Sequence, residues 1–150
     1  MQKLICAGLL AYLLPLAAAG QHRSPVSPSP PANSRPKPIK VQYGIASFYS
    51  NKFEGRKTYT DEIFSQKKLS AASNTLPMHT WIRVTNLRNH RSVVLRINDK
   101  MHPRNKRLID LSRAAADKLG YTDRGLTRVR VDVLGRKKPT EAEMAANKSE

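Results

Sequence analysis

Apolar and polar positions alternate with a period of two in four stretches of this chain, the pattern of half-buried β-strands. They are "GIASFY" (residues 44–49), "TWIRVT" (80–85), "SVVLRI" (92–97) and "RVRVDVL" (128–134). The second and third form the clearest hairpin. Ile82 and Val84 point one way and Trp81, Arg83 and Thr85 the other; the connection "NLRNHR" places Asn89, a residue that accepts positive φ, in the turn. In the fourth, Val129, Val131 and Val133 face inward and Arg128, Arg130 and Asp132 outward. One stretch breaks the alternation. Ser112 is a good N-cap for "RAAADKL" (113–119), and Gly120 stands where a left-handed C-cap belongs, so a short helix is predicted there. Several short strands and one small helix predict a compact, mostly β barrel.

The flanks have no such pattern. Residues 1–19 have the form of a cleaved secretory leader: Lys3, an apolar run from Leu4 to Leu16 and the small residues Ala17, Ala18 and Ala19. The run is short for a membrane span and Pro15 interrupts its end, so no stable membrane insertion is expected. Residues 20–40 are rich in Pro and Ser and predict an extended linker, in which His22 is simply solvated. Residues 136–150 are charged and lack an apolar face, predicting disorder or a short frayed helix. Residues 41–135 remain as one folded, monomeric domain without internal repeats.

Charge and cysteine narrow the chemistry. The formal charge is +16, a surplus that attracts polyanions. Nucleic acid is set aside because the leader implies export to the periplasm or medium and aromatic residues make up only 6% of the chain. An anionic cell-wall glycan suits the charge better. Cys6 is the single cysteine and lies inside the leader, too early for lipid attachment. A mature chain without it has no disulfide, thiol nucleophile or cysteine-ligated metal.

Three acids in the domain sit beside polar partners: Glu62, Asp99 and Asp110. Asp99 ends the hairpin's second strand and is followed by Lys100, Arg104, Lys106 and Arg107. Residue pattern alone leaves Glu62 and Asp99 open between catalysis and ordinary surface loops. Asp110, just before the helix and between Ile109 and Leu111, is assigned a structural role at the helix N-terminus. His79, His90 and His102 are scattered and read as surface or turn residues. The sequence contains no phosphate-binding loop, metal-ligand spacing or Ser-His-Asp motif, so neither a metal nor a cofactor is expected.

Four segments in order resemble the RlpA-like (rare lipoprotein A) family of bacterial envelope proteins. They are "GIASFYSNKFEGRKTYTDEIF" (44–64), "LSAASNTLPMHTWIRVTNLRNHRSVVLRINDK" (69–100), "RLIDLSRAAADKLG" (107–120) and "VRVDVLG" (129–135). The resemblance implies a six-stranded double-psi β-barrel with one or two short helices. It also implies endolytic cleavage of peptidoglycan strands stripped of stem peptides, with the family's acid pair at Glu62 and Asp99. Four positions depart from the family pattern: Ser73 where His is common, Thr60-Asp61 for an Asn-Gly pair, Lys100-Met101-His102 for "RGP", and Glu54-Gly55-Arg56 for "HGR". Asp61 adds a negative neighbour that tends to raise a nearby carboxyl pKa.

On that resemblance Asp99 is the general acid that protonates the glycosidic oxygen and then, as the base, closes a 1,6-anhydro ring on muramyl C1. Glu62 holds the sugar or stabilises developing positive charge. Arg56, Arg96 and Lys100 meet lactyl carboxylates, and Ser73 contributes to the substrate site. The alternative is an expansin-like barrel that binds peptidoglycan without cutting it.

Overall fold

The computed structural model describes residues 40–146 of the 150, the last three by backbone alone. The predicted leader and all but the last residue of the predicted linker therefore lie outside the described residues.

Six strands close into one barrel: β1 (Lys40–Phe48), β2 (Ser70–Ala72), β3 (Trp81–Asn86), β4 (Ser92–Asp99), β5 (Ile109–Leu111) and β6 (Thr127–Gly135). Their order around the barrel is β1-β5-β2-β4-β3-β6. β1 and β5 run parallel, as do β2 and β4; the remaining neighbours are antiparallel. Closure leaves no free strand edge. This is the mostly β barrel that the alternation predicts, with the six strands that the resemblance implies.

The four predicted strands are present, and β1 begins four residues earlier than "GIASFY", at Lys40, which the sequence assigned to the linker. The two missed strands are each three residues long. All of β2 is buried, so "SAA" shows no alternation to read. Inward residues from every strand make the core: Ala46, Ala71, Ile82, Val84, Leu95, Ile97, Ile109, Leu111, Val129 and Val131 are 0–1% exposed. Arg83 and Asp132 keep their outward parity but are also buried, each 5% exposed. They face each other in the β3–β6 register, and Arg130 Nε donates to Asp132 at 2.8 Å. Buried charges are tolerated when paired in this way.

The helix α1 (Arg113–Leu119) adds Ala115, Ala116 and Leu119 to the core. Gly120 caps it at φ 69°, as predicted. Ser112 has N-cap geometry, but its hydroxyl makes no cap bond; it accepts the Ser70 N–H at 3.3 Å and joins α1 to β2 instead. In the β3–β4 turn the positive φ belongs to His90 (59°) and not to Asn89. Asn89 Nδ2 instead donates to the Leu119 carbonyl at the end of α1. Beyond β6, the tail carries the six-residue helix α2 (Glu141–Ala146).

Two local features position the ends of the barrel. Between Ala71–Ile97 and Ala72–Asp99 the β2–β4 register slips by one, leaving Asn98 as the extra residue of a bulge that re-aims the end of β4. A second small cluster of Tyr49, Phe64, Ala72, Met101 and Phe53 packs at that same end. Met101, in the atypical "KMHP" stretch, is 7% exposed and fills this cluster.

Candidate active site

Asp99 leaves the bulge at the barrel rim with both carboxylate oxygens held. Oδ1 accepts the backbone N–H groups of Tyr59 at 2.8 Å and Lys100 at 2.9 Å. Oδ2 accepts the Tyr49 phenol at 2.8 Å. Tyr49 is the last inward aromatic after β1 and is 9% exposed. Burial, followed by the hydrogen bond to Asp99 and its negative charge, pushes the phenol well above the ordinary tyrosine pKa. Tyr49 therefore remains a proton donor. Sequence reading missed it, although its place at the end of an alternating run was the available signal.

Tyr49 and Asp99 line a groove of about 750 Å³. Arg56, Lys100, His102, Asn105, Arg107 and Asp110 are also among its lining residues. Arg56 lies over the Phe53 ring at 5.6 Å and Lys100 over the Tyr59 ring at 3.9 Å, contacts that orient both cations. The structure thus brings three of the six proposed catalytic and substrate residues, Arg56, Asp99 and Lys100, to one groove.

The others are placed differently. Glu62 and Arg96 are an ion pair outside the groove lining, reinforced by Asn98 Nδ2, 3.2 Å from Glu62 Oε2. Thr60 Oγ1 lies 3.2 Å from Glu62 Oε1 and 3.1 Å from the Asn98 carbonyl. Desolvation pushes the Glu62 carboxyl up. The Asn98 hydrogen bond, the Arg96 charge and the Thr60 and Arg96 hydrogen bonds outweigh it, and the group ends below the ordinary glutamate value. The upward push expected from Asp61 is not what sets it. Asp61 takes φ 62° and turns outward, 87% exposed, 4.0 Å from Lys57.

Ser73 is fully buried, which removes it from the substrate site. Its hydroxyl donates to the Leu108 carbonyl at 2.9 Å and accepts the N–H groups of Thr75 and Leu76, so it shapes the turn after β2. The hydrogen bonds of Asp110 go to Ser47, Asn105 and Arg107 and not to the N-terminus of α1. It lies in β5 and accepts Ser47 Oγ at 2.5 Å, Asn105 Nδ2 at 3.3 Å, and both Arg107 Nε and Nη2 at 3.0 and 3.1 Å. These contacts tie β5 to β1 and to the residues before it, and Asp110 also forms part of the groove wall. His79 and His90 occupy left-handed turn positions, whereas His102 joins the groove. Among the described residues, no group of three or more His, Cys, Asp or Glu is placed to hold a metal ion, and no helix is long and apolar enough to cross a membrane.

The family model described as lytic transglycolase matches residues 41–131. An endolytic peptidoglycan transglycosylase RlpA from Haemophilus influenzae is 46% identical over 94 residues, covering 63% of this chain and 33% of that protein. The chain spans about a third of the length of such relatives. Two solved structures share the fold. A Streptomyces papain inhibitor gives a TM-score of 0.52 at 22% identity, over 64% of this chain and 96% of the other. An expansin from Clavibacter michiganensis gives 0.53 at 17% identity, over 67% and 52%.

Proposed function

The chain belongs to the lytic transglycolase family of RlpA-like double-psi β-barrels, and from that premise we propose that it is an exported endolytic transglycosylase of peptidoglycan. Its substrate is the glycan strand stripped of stem peptides, cleaved in the remodelling of the cell wall. The observation that carries this reading is Asp99, presented in the groove by three hydrogen-bond donors with Arg56 and Lys100 alongside. Cleavage at a muramyl sugar places a lactyl carboxylate within reach of those cations.

Asp99 Oδ1 is occupied twice by backbone N–H groups, whereas Oδ2 accepts only the phenol, and Oδ2 is therefore the oxygen that exchanges protons. Protonated, it gives its proton to the glycosidic oxygen. The bond from that oxygen to muramyl C1 then breaks, its electron pair leaving with the departing sugar's hydroxyl. The same sugar's 6-hydroxyl closes on C1, and its proton returns to Oδ2. The product is a 1,6-anhydromuramyl end and no water is consumed, unlike two-carboxylate hydrolysis. Glu62 acts through the loop: by tying residues 60–62 to β4 it holds the Tyr59 N–H against Asp99. It is a positioning residue.

Mass spectrometry of naked glycan after digestion tests the assignment. Asp99→Asn is expected to lower the yield of anhydro ends by about two to four orders of magnitude, the usual contribution of a positioned acid and base. Its thermal midpoint should stay close to that of the parent. Undiminished cleavage by the variant sinks the mechanism. One observation favours binding without cleavage: Ser73 is buried where the family commonly has His, and it offers the groove no side chain. Glycan that pellets with the unmodified protein and acquires no anhydro ends would establish that second reading.

A further inference from the structure

Two further hollows continue the groove along the outer face of β1. The first, about 700 Å³, shares His102, Asn105 and Arg107 with the groove and adds Arg104, Lys106, Ile45 and Leu126. The second, about 340 Å³, shares Ile45 with the first and adds Tyr43, Leu87 and Arg128. Tyr43, Ile45 and Leu126 are 67%, 38% and 52% exposed. Neither hollow has a carboxylate among its lining residues. Arg104, Lys106 and Arg128 take part in no ion pair among the described residues.

Single exposed apolar residues are ordinary on a protein surface. Here Tyr43 and Ile45 alternate along one face of β1, Leu126 lines the first hollow together with Ile45, and cations outside any ion pair among the described residues flank them. That combination matches a polymer with apolar ring faces and regularly spaced negative charge.

We propose that these hollows are a distal subsite for the continuing glycan strand, beyond the sugars being cleaved. This rests on the glycan reading above. Ring C–H faces lie against Tyr43, Ile45 and Leu126, and lactyl carboxylates, one on each muramyl sugar, meet Arg104, Lys106 and Arg128. The subsite lengthens the bound strand without touching the reacting bond, and so selects long, uncapped anionic strands over short fragments. Stem peptides on the lactyl groups would remove those carboxylates and crowd the strip.

The experiment uses the full chain carrying Asp99→Asn, so that strands remain intact, with and without Arg104→Glu and Lys106→Glu. Both added positions are exposed, and the thermal midpoint checks that the fold is retained. Affinity is measured for long naked glycan and for tetrasaccharide fragments, at low and at high ionic strength. Long strands should bind the doubly reversed variant about tenfold more weakly at low salt, a difference that shrinks as salt screens exposed charges. The tetrasaccharides should bind both alike. Equal affinity of long strands for both proteins overturns the subsite. Failure of the unreversed protein to bind glycan of any length overturns instead the glycan reading on which it rests. Tyr43→Ala supplies the uncharged counterpart: it should weaken long glycan binding and leave a duplex oligonucleotide unaffected. An oligonucleotide that binds as tightly as the glycan, with neither ligand sensitive to Tyr43→Ala, shows a general polyanion surface and overturns the proposal.

Discussion

One phenol supplies the side-chain hydrogen bond among the three that hold Asp99. Tyr49 is clamped between Phe53 and Phe64, with ring centroids 5.6 and 4.4 Å away, so its hydroxyl has one direction in which to donate. Tyr49→Phe keeps the ring packing and removes only the donor. It should lower kcat on naked glycan about tenfold, the order of one hydrogen bond to a charged group, and leave KM nearly unchanged. A fall in thermal stability with kcat intact would reduce Tyr49 to a packing residue. Asp99 itself could be named from the ordered motifs, because a family resemblance reaches individual positions. For Tyr49 the alternating run marks only its place just after β1; the contact with Asp99, 50 positions away, is made by the fold.

The loop between β1 and β2 is the element on which the site depends, and ionised glutamates pin it. Glu62 binds Arg96 and Asn98, while Glu54 accepts the Gln66 N–H and the Ser65 hydroxyl. Both carboxyls lie below the ordinary glutamate pKa, Glu54 chiefly through the Gln66 N–H and then the Ser65 hydroxyl. A depressed carboxyl contributes its stabilisation above the unfolded value of about 4.3, and this is lost as pH falls through the lower folded value. Hydrogen-exchange protection factors across residues 54–66, corrected for the intrinsic pH dependence of exchange, should therefore fall below about pH 4 while the barrel strands stay protected. Glu62→Gln should show the faster exchange at neutral pH. Close passage of the chain over β1 is the second requirement. A Cβ at Gly44 would fall 2.5 Å from Leu108 Cβ. Gly44→Ala should destabilise the domain by about 1–3 kcal/mol, the usual cost of overpacking, and chemical denaturation measures it.

On the scale of the whole molecule, closure of the barrel couples the site to global stability. The Tyr121 hydroxyl donates to the Ser47 carbonyl at 2.9 Å, joining the segment after α1 to β1. Burial, and then the negative charge of Asp110, raises the Tyr121 phenol above its ordinary value, as burial and Asp99 raise Tyr49. The unfolded chain releases these protons near pH 10, whereas the folded barrel keeps them. Their contribution is thus complete below about pH 10 and declines as pH rises above it. Urea midpoints measured from pH 8 to 12 should fall at the alkaline end, and Tyr121→Phe should flatten that fall. A midpoint that rises with pH would contradict the burial of both phenols.

Local pattern determined the four longer strands, the limits of α1 and the class of fold, because alternation and capping act within a few residues of one another. Ordered motifs determined the family and the position of Asp99. Tertiary structure alone decided the rest. The three-residue strands β2 and β5 exist only as partners of others and carry no periodicity of their own. Arg96 pairs with Glu62, Ser73 lies in the interior, and Asp110 binds Arg107 and Ser47. The physical reason is that a charged or hydroxyl side chain takes the partners that folding places beside it, and although Arg107 is only three residues from Asp110, Ser47 is 63 away and reaches it through barrel closure.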